Sequence, residues 1–133
     1  MYMLDTNICS FILKNRDDRQ LQRKLNVTKN LYMSSITYGE ICYGIEKGAV
    51  TRRQESFKQL EMFTKLVLIE AWDTKAAKHY GAIRAHLEKL GKKSGNNDFL
   101  IAAHARSIDA VIVTNNTSEF LTVPDLIVED WIE

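Results

Sequence analysis

Four carboxylates stand where an apolar run ends or along the edge of an apolar helical face: Asp5, Glu40, Asp98 and Glu119. Thr114, Asn115 and Asn116 follow the last strongly apolar run, with Glu119 close behind. Oxygen donors gathered at one end of a sheet suit a hard divalent cation such as Mg²⁺, which takes oxygen ligands and keeps several waters. Asp98 leads the stripe formed by Ile101, Ala102 and Ala105, which lie on its own helical face. A carboxylate at the head of an inward face is costly unless a cation, a cap or the helix dipole compensates it. Glu40 lies one turn after Ile36 and beside Ile41 and Cys42, on the border of a core face. Taken singly, each has an ordinary alternative: Asp5 as a turn or capping residue, Asp98 as a charge at a helix N-terminus, Glu40 as a surface helix residue. Their meaning depends on whether they meet.

Meeting requires a scaffold that aligns strand ends. Residues 1–4 are a short apolar run that stops at Asp5, Thr6 and Asn7, after which Ile8, Phe11 and Ile12 recur at helical spacing, which predicts strand, tight turn and helix. Residues 31–33 predict a second strand, with Ser34 and Ser35 as N-cap candidates for a helix through Ile41, Cys42 and Ile45 that Gly48 ends. Residues 52–66 carry Phe57, Leu60, Phe63 and Leu66 in a helical pattern, and residues 67–69 predict a third strand. Asp73 or Thr74 opens the clearest helix, with Ala76, Tyr80, Ile83, Leu87 and Leu90 on one face before Gly91. A polar loop over 91–97 leads to a helix from Asp98; residues 110–114 read as a buried strand and residues 126–128 as an edge strand. Strands alternating with helices predict one α/β domain over residues 1–133, with a mostly parallel sheet, helices on both faces and right-handed crossovers. In such sheets ligands bind beyond the carboxyl ends of the strands, which selects Asp5 and the residues from Thr114 to Glu119.

At 133 residues, 45% hydrophobic and 26% charged, the chain has the size of one domain with a real core. A net charge of +1 excludes a polycation drawn to nucleic acid by bulk charge, so any such site is local. The charge is polarised: residues 14–30 hold six basic and two acidic side chains, residues 71–100 six and three, and residues 101–133 one Arg against six carboxylates. Lys14, Arg16, Arg19, Arg23, Lys89, Lys92 and Lys93 therefore flank a phosphate backbone or simply solvate helix faces. Cys9 and Cys42 are too few for a disulfide framework and read as reduced thiols. No signal segment is evident, and no run approaches the roughly eighteen apolar residues of a membrane span, so the expected location is the cytoplasm.

In combination the motifs carry more. Leu4-Asp5-Thr6-Asn7, the stretch from Ser35 through Glu40 to Ile41, and that from Asn97 through Asp98 to Ala105 are similar to the motifs of PIN-domain nucleases. With Gly44, the segment from Thr114 to Phe120 and the terminal Glu129-Asp130-Trp131, the chain more closely resembles the VapC toxins of bacterial toxin–antitoxin pairs, over nearly its whole length. The resemblance implies a three-layer α/β/α sandwich whose acidic pocket binds Mg²⁺ or Mn²⁺ and cuts RNA. It carries the family's first three acids onto Asp5, Glu40 and Asp98. The fourth acid of many members falls on Asn116, a departure that weighs against a full second metal site. Glu119, a helical turn further on, is the candidate substitute, and Thr114 the residue that orients a ligand.

The implied reaction has Asp5 and Asp98 holding the metal, with Glu40 as a further ligand or as the group that orients water. It leaves a 5′-phosphate and a 3′-hydroxyl without using the RNA 2′-hydroxyl as nucleophile. His79, His86 and His104 read as structural rather than as a general acid–base pair. The implied substrate is a transfer RNA anticodon loop, initiator transfer RNA foremost, with Lys92 and Lys93 on phosphates and Tyr38, Tyr43 or Phe99 either stacking on bases or packing in the core. The implied partners are a VapB antitoxin, whose Arg can enter the acidic pocket and to which any DNA binding belongs, and a second copy of the chain. Two other readings stay open: a non-catalytic binding protein on the same fold, and a phosphoacceptor receiver domain. The receiver fits poorly, since Asp5 is not followed by a second acid and no Lys follows Val113.

Overall fold

The computed structural model describes residues 1–92 and 97–132. Among these, β1 (Tyr2–Leu4), β2 (Leu31–Ser34), β3 (Leu68–Glu70), β4 (Val111–Val113) and β5 (Val128–Glu129) form one sheet in the order β3-β2-β1-β4-β5, every pairing parallel. Parallel neighbours need crossovers, and helices supply them: α1 (Thr6–Leu13), α2 (Arg19–Val27), α3 (Ser35–Lys47), α4 (Val50–Phe63), α5 (Thr74–Lys89), α6 (Asp98–Ser107) and the single turn α7 (Thr117–Phe120). The chain winds outward from β1 through β2 to β3, then returns to the other side of β1 for β4 and β5. The junction of β1 and β4 is therefore the topological switch point, where the strand ends open a crevice.

Alternation along the strands splits the core in two. Met3 and Ile112 pack with Ile83 and Leu87 of α5 and with Phe99, Ile101 and Ala105 of α6. Leu4, Met33 and Val113 face the other way, onto Ile8 of α1, Ile41 of α3 and Leu60 and Phe63 of α4. Helices thus cover both faces, and the expected three-layer sandwich is the observed one. The predicted caps are present: Ser34, Asp73 and Asp5 accept from the first-turn backbones of α3, α5 and α1.

Some elements differ from the sequence expectation. The basic stretch after Lys14 contains α2, capped by Asp18 through Leu21 N at 3.0 Å; only Leu21 is fully buried there, too narrow a stripe to announce a helix. The helix expected over 52–66 spans Val50–Phe63 and leaves Leu66 exposed. The edge strand begins two residues later than the expected 126–128 and ends at Glu129. Asp125 turns the chain at φ 59°, and pairing of Ile112 with Val128 then sets the register.

Candidate active site

Asp5 is the first residue beyond β1 and also the N-cap of α1, so the two alternatives for it are one arrangement. Its Oδ1 accepts from Ile8 N at 2.9 Å, and its Oδ2 accepts from the Thr114 hydroxyl at 2.5 Å. Asp5 N donates to Val113 O at 3.0 Å, which locks the end of β1 to the end of β4. Burial pushes the Asp5 carboxyl above the ordinary range; the bonds from Thr114, Ile8 and Asn7 pull it back, and the charge of Asp130 adds to the upward push. Each oxygen of a carboxylate has a second lone pair, so both bonds leave Asp5 able to take a cation.

Thr114 passes the organisation on. Its Oγ1 accepts from Asn116 N at 2.9 Å while its proton goes to Asp5. Asn116 then turns its side-chain amide to two acids, donating to Glu119 Oε2 at 2.7 Å and, more weakly, to Asp98 Oδ2 at 3.4 Å. Asp98 comes from the first turn of α6, where the helix dipole favours an anion. Burial first, then its hydrogen bond with Glu119 and the charges of Glu119 and Asp5, push its carboxyl up to about 7; Asn116 opposes the shift. An Asp in place of Asn116 would bring a third negative charge to this spot, whereas the amide donates to both acids at once. The departure from the family pattern is thus a clasp between carboxylates.

Glu40 sits apart from that network. It is half-buried on α3 and its Oε1 accepts from the hydroxyl of Thr6, 3.1 Å away; Thr6 Oγ1 also lies 3.1 Å from Thr37 Oγ1. Since Thr6 follows Asp5 in the chain, Glu40 is held one residue from the pocket. It also borders a cavity of about 490 Å³ between α1, α3 and α4, with Lys14 and Arg52 among its walls.

Among the described residues no three His, Cys, Asp or Glu side chains already converge as a cation cage. The donor set nonetheless suits one hard cation. The facing side chains of Asp5, Asp98, Glu119 and Thr114 offer oxygen alone, and the Asp98 carboxyl, raised first by burial and then by its hydrogen bond with Glu119 and the charges of Glu119 and Asp5, lies among acids whose charge a divalent ion would offset.

The other described candidates fall outside this pocket. Lys92 is exposed just past α5, and Lys93 lies outside the described residues. Phe99 is 4% exposed and belongs to the α5–α6 core, so it is not a base-stacking surface. Tyr43 is exposed with Lys47 5.5 Å from its ring centroid, and Tyr38 packs partly against the α1–α4 core. His104 is buried with Nδ1 2.8 Å from Ser34 Oγ, and His79 accepts from Arg106 Nε at 2.9 Å, both structural as expected. Sequence reasoning missed two residues. Thr6 carried no signal beyond its capping neighbourhood, because only the packing of α1 on α3 turns it to Glu40. Asp130 was detectable as a residue following a strand, had the last strand been bounded at Glu129.

Residues 2–126 match the PIN domain. The chain belongs to the PIN domain family. Among its relatives are the tRNA(fMet)-specific endonuclease VapC of Salmonella typhimurium, 40% identical with 98% of this chain and 97% of the relative covered, and ribonuclease VapC2 of Rickettsia felis, 37% identical with 98% of each covered. Similar solved structures include a chain of DNA-bound VapBC from Salmonella typhimurium (TM-score 0.90, 39% identity, 98% of this chain and 97% of that one). VapBC-1 from nontypeable Haemophilus influenzae gives a TM-score of 0.88 at 35% identity, with 98% and 97% covered. In this PIN domain the crevice at the β1–β4 switch point holds Asp5, Thr114, Asn116, Asp98 and Glu119, with Glu40 tethered to its edge through Thr6.

Proposed function

We propose that the chain is a metal-dependent endoribonuclease, the toxin of a VapBC-type toxin–antitoxin pair, and that it blocks translation in the cytoplasm by hydrolysing a transfer RNA anticodon loop, that of initiator transfer RNA foremost. The observation that carries the reading is the continuous network from Asp5 through Thr114 and Asn116 to Asp98 and Glu119 at the switch point. The names of the VapC relatives support the RNA substrate, and the VapBC assemblies support an antitoxin partner to which DNA contact belongs. A second copy of the chain completes the expected assembly.

In this reading Asp5 and Asp98 hold Mg²⁺ or Mn²⁺, with Glu119 as the adjoining acid. The bound cation supplies Lewis acidity at the phosphoryl oxygens and a more acidic water. The protein's own part is positional. Thr114 keeps the Asp5 carboxylate turned into the crevice, and Asn116 keeps Asp98 and Glu119 side by side. Glu40, fixed by Thr6, orients water at the edge of the pocket. As a ligand Asp98 would have to be ionised, so binding of the cation would be favoured by loss of any proton held there. Lys92 and Lys93 contact phosphates flanking the cut. The products carry a 5′-phosphate and a 3′-hydroxyl.

The test is incubation of the purified, antitoxin-free protein with total bacterial transfer RNA and Mg²⁺ or Mn²⁺, beside EDTA and Asp5→Ala controls, with fragment ends sequenced. A single anticodon-loop cut that disappears in both controls is expected. Cyclic 2′,3′-phosphate ends, or cutting that survives EDTA, overturns the mechanism; no cutting by folded, metal-loaded protein points first to another RNA substrate and second to a non-catalytic role.

A further inference from the structure

Asp130 has no part in the reaction just derived, yet the sheet brings it to the same edge. Leu4 pairs with Val113 and Val113 with Glu129, while Thr114 N donates to Glu129 O at 3.0 Å. The residues that follow in register are Asp5, Thr114 and Asp130, one row across the carboxyl ends of β1, β4 and β5. The pleat decides which way Asp130 faces. Val128 packs into the α5–α6 core, and Trp131 into the opposite one, where its ring lies 5.3 Å from that of Tyr2 and its Nε1 donates to Glu129 Oε1 at 2.9 Å. Asp130, two residues after Val128 and adjacent to Trp131, falls on the same side as Val128, the α6 side of the sheet, where Thr114 meets Asp5 and Asn116 meets Asp98. Trp131, 1% exposed, anchors the segment. Asp130 itself is exposed; its Oδ1 accepts from Ile132 N at 3.0 Å, and its Oδ2 has no hydrogen-bond partner among the described residues.

We propose that Asp130 is a fifth acidic group of the cation site, a positioning residue at its solvent-facing lip. The inference rests on the metal-dependent reading of the pocket. Asp130 does not touch the scissile phosphate. Its charge adds to those of Asp5, Asp98 and Glu119, and it would act on a bound hard divalent cation through the water shell such an ion retains rather than as a direct ligand. The position suits that role, because an exposed carboxylate keeps its charge at little desolvation cost, and the charge of Asp130 already reaches Asp5 at the buried end of the crevice.

The experiment is calorimetric titration of the full chain with MnCl₂ in the absence of RNA. Asp130→Asn preserves the carbonyl oxygen that accepts from Ile132 N and removes only the charge. The expected result is a Kd about fivefold weaker than that of the unsubstituted protein, the weight of one charge several ångströms from a divalent ion in water. The melting temperature of the metal-free variant is expected to be unchanged or higher, because a like charge near Asp5 has been removed. An unchanged Kd, or a lower metal-free melting temperature, overturns the proposal. Asp98→Asn, run in parallel, separates the two levels: if it abolishes binding while Asp130→Asn binds normally, only the role of Asp130 fails, whereas if neither variant alters binding the cation site itself is misplaced.

Discussion

Proton and cation compete for Asp98, and the competition has a calculable size. Its carboxyl is pushed up to about 7 by burial and by Glu119, so at neutral pH the metal-free pocket is partly protonated there. A single competing proton multiplies the apparent Kd by 1 + 10^(7−pH), which makes cation binding about tenfold weaker at pH 6 than at pH 8, or about 1.4 kcal/mol. Titration with MnCl₂ in two buffers of different ionisation enthalpy counts the protons: about 0.9 released per cation at pH 6 and about 0.1 at pH 8. Asn116→Ala removes the donor that opposes the shift, so its pH dependence should move to higher pH. An affinity flat from pH 6 to pH 8, with heats independent of buffer, would refute the idea that Asp98 sits in a shared acidic pocket and takes the cation.

Four further outcomes follow from named contacts. For a carboxyl raised above its unfolded value, the destabilisation is complete above about pH 7 and fades as pH falls toward the unfolded value; Asp98→Asn should therefore raise the metal-free melting temperature more at pH 8 than at pH 5. Thr114→Val deletes the buried hydroxyl that joins Asp5 to Asn116 N, and urea unfolding should show a loss of about 1–3 kcal/mol together with reduced RNA cleavage. Thr6→Val releases Glu40 from its half-buried hydroxyl partner between α1 and α3 while keeping the side-chain volume, so single-turnover cleavage should slow while the melting temperature changes little; equal rates would remove Glu40 positioning from the mechanism. Burial, then the charges of Arg106 and Lys75, lower the His79 pKa, and its neutral Nδ1 accepts from Arg106. That contribution is present above the unfolded value near 6.5 and is lost as pH falls below it, so the urea-midpoint gap between the unsubstituted protein and His79→Gln should shrink from pH 7.5 to pH 5.

How much of the site could be read beforehand varies residue by residue. Asp5 was legible because an apolar run stopped at it, and Asp98 because a charge led an inward stripe; both signals are local. Their partners were not. Asn116 looked like a lost acid, and only the placement of Glu119 beside Asp98 makes its amide a clasp. Glu40 was grouped with Asp5 by the resemblance, yet the connection runs through Thr6, whose hydroxyl any local window would have assigned to a turn. Phe99 was equally a core or a surface aromatic until α6 packed on α5 and buried it. Asp130 escaped because the last strand starts two residues later than its apolar run.

Caps, helical stripes and the short apolar runs of the strands are properties of neighbouring residues, so the sequence by itself determined the α/β class, the parallel sheet and the single acids at the strand ends. The meeting of those acids is a different matter. Thr114 and Asp5 are 109 positions apart and come within 2.5 Å only because β4 pairs with β1 rather than with β2 or β3. That choice is made by burying both faces of β1 between two separate helical layers, a free energy summed over contacts remote in sequence, and it is the tertiary structure alone that turns five scattered side chains into one pocket.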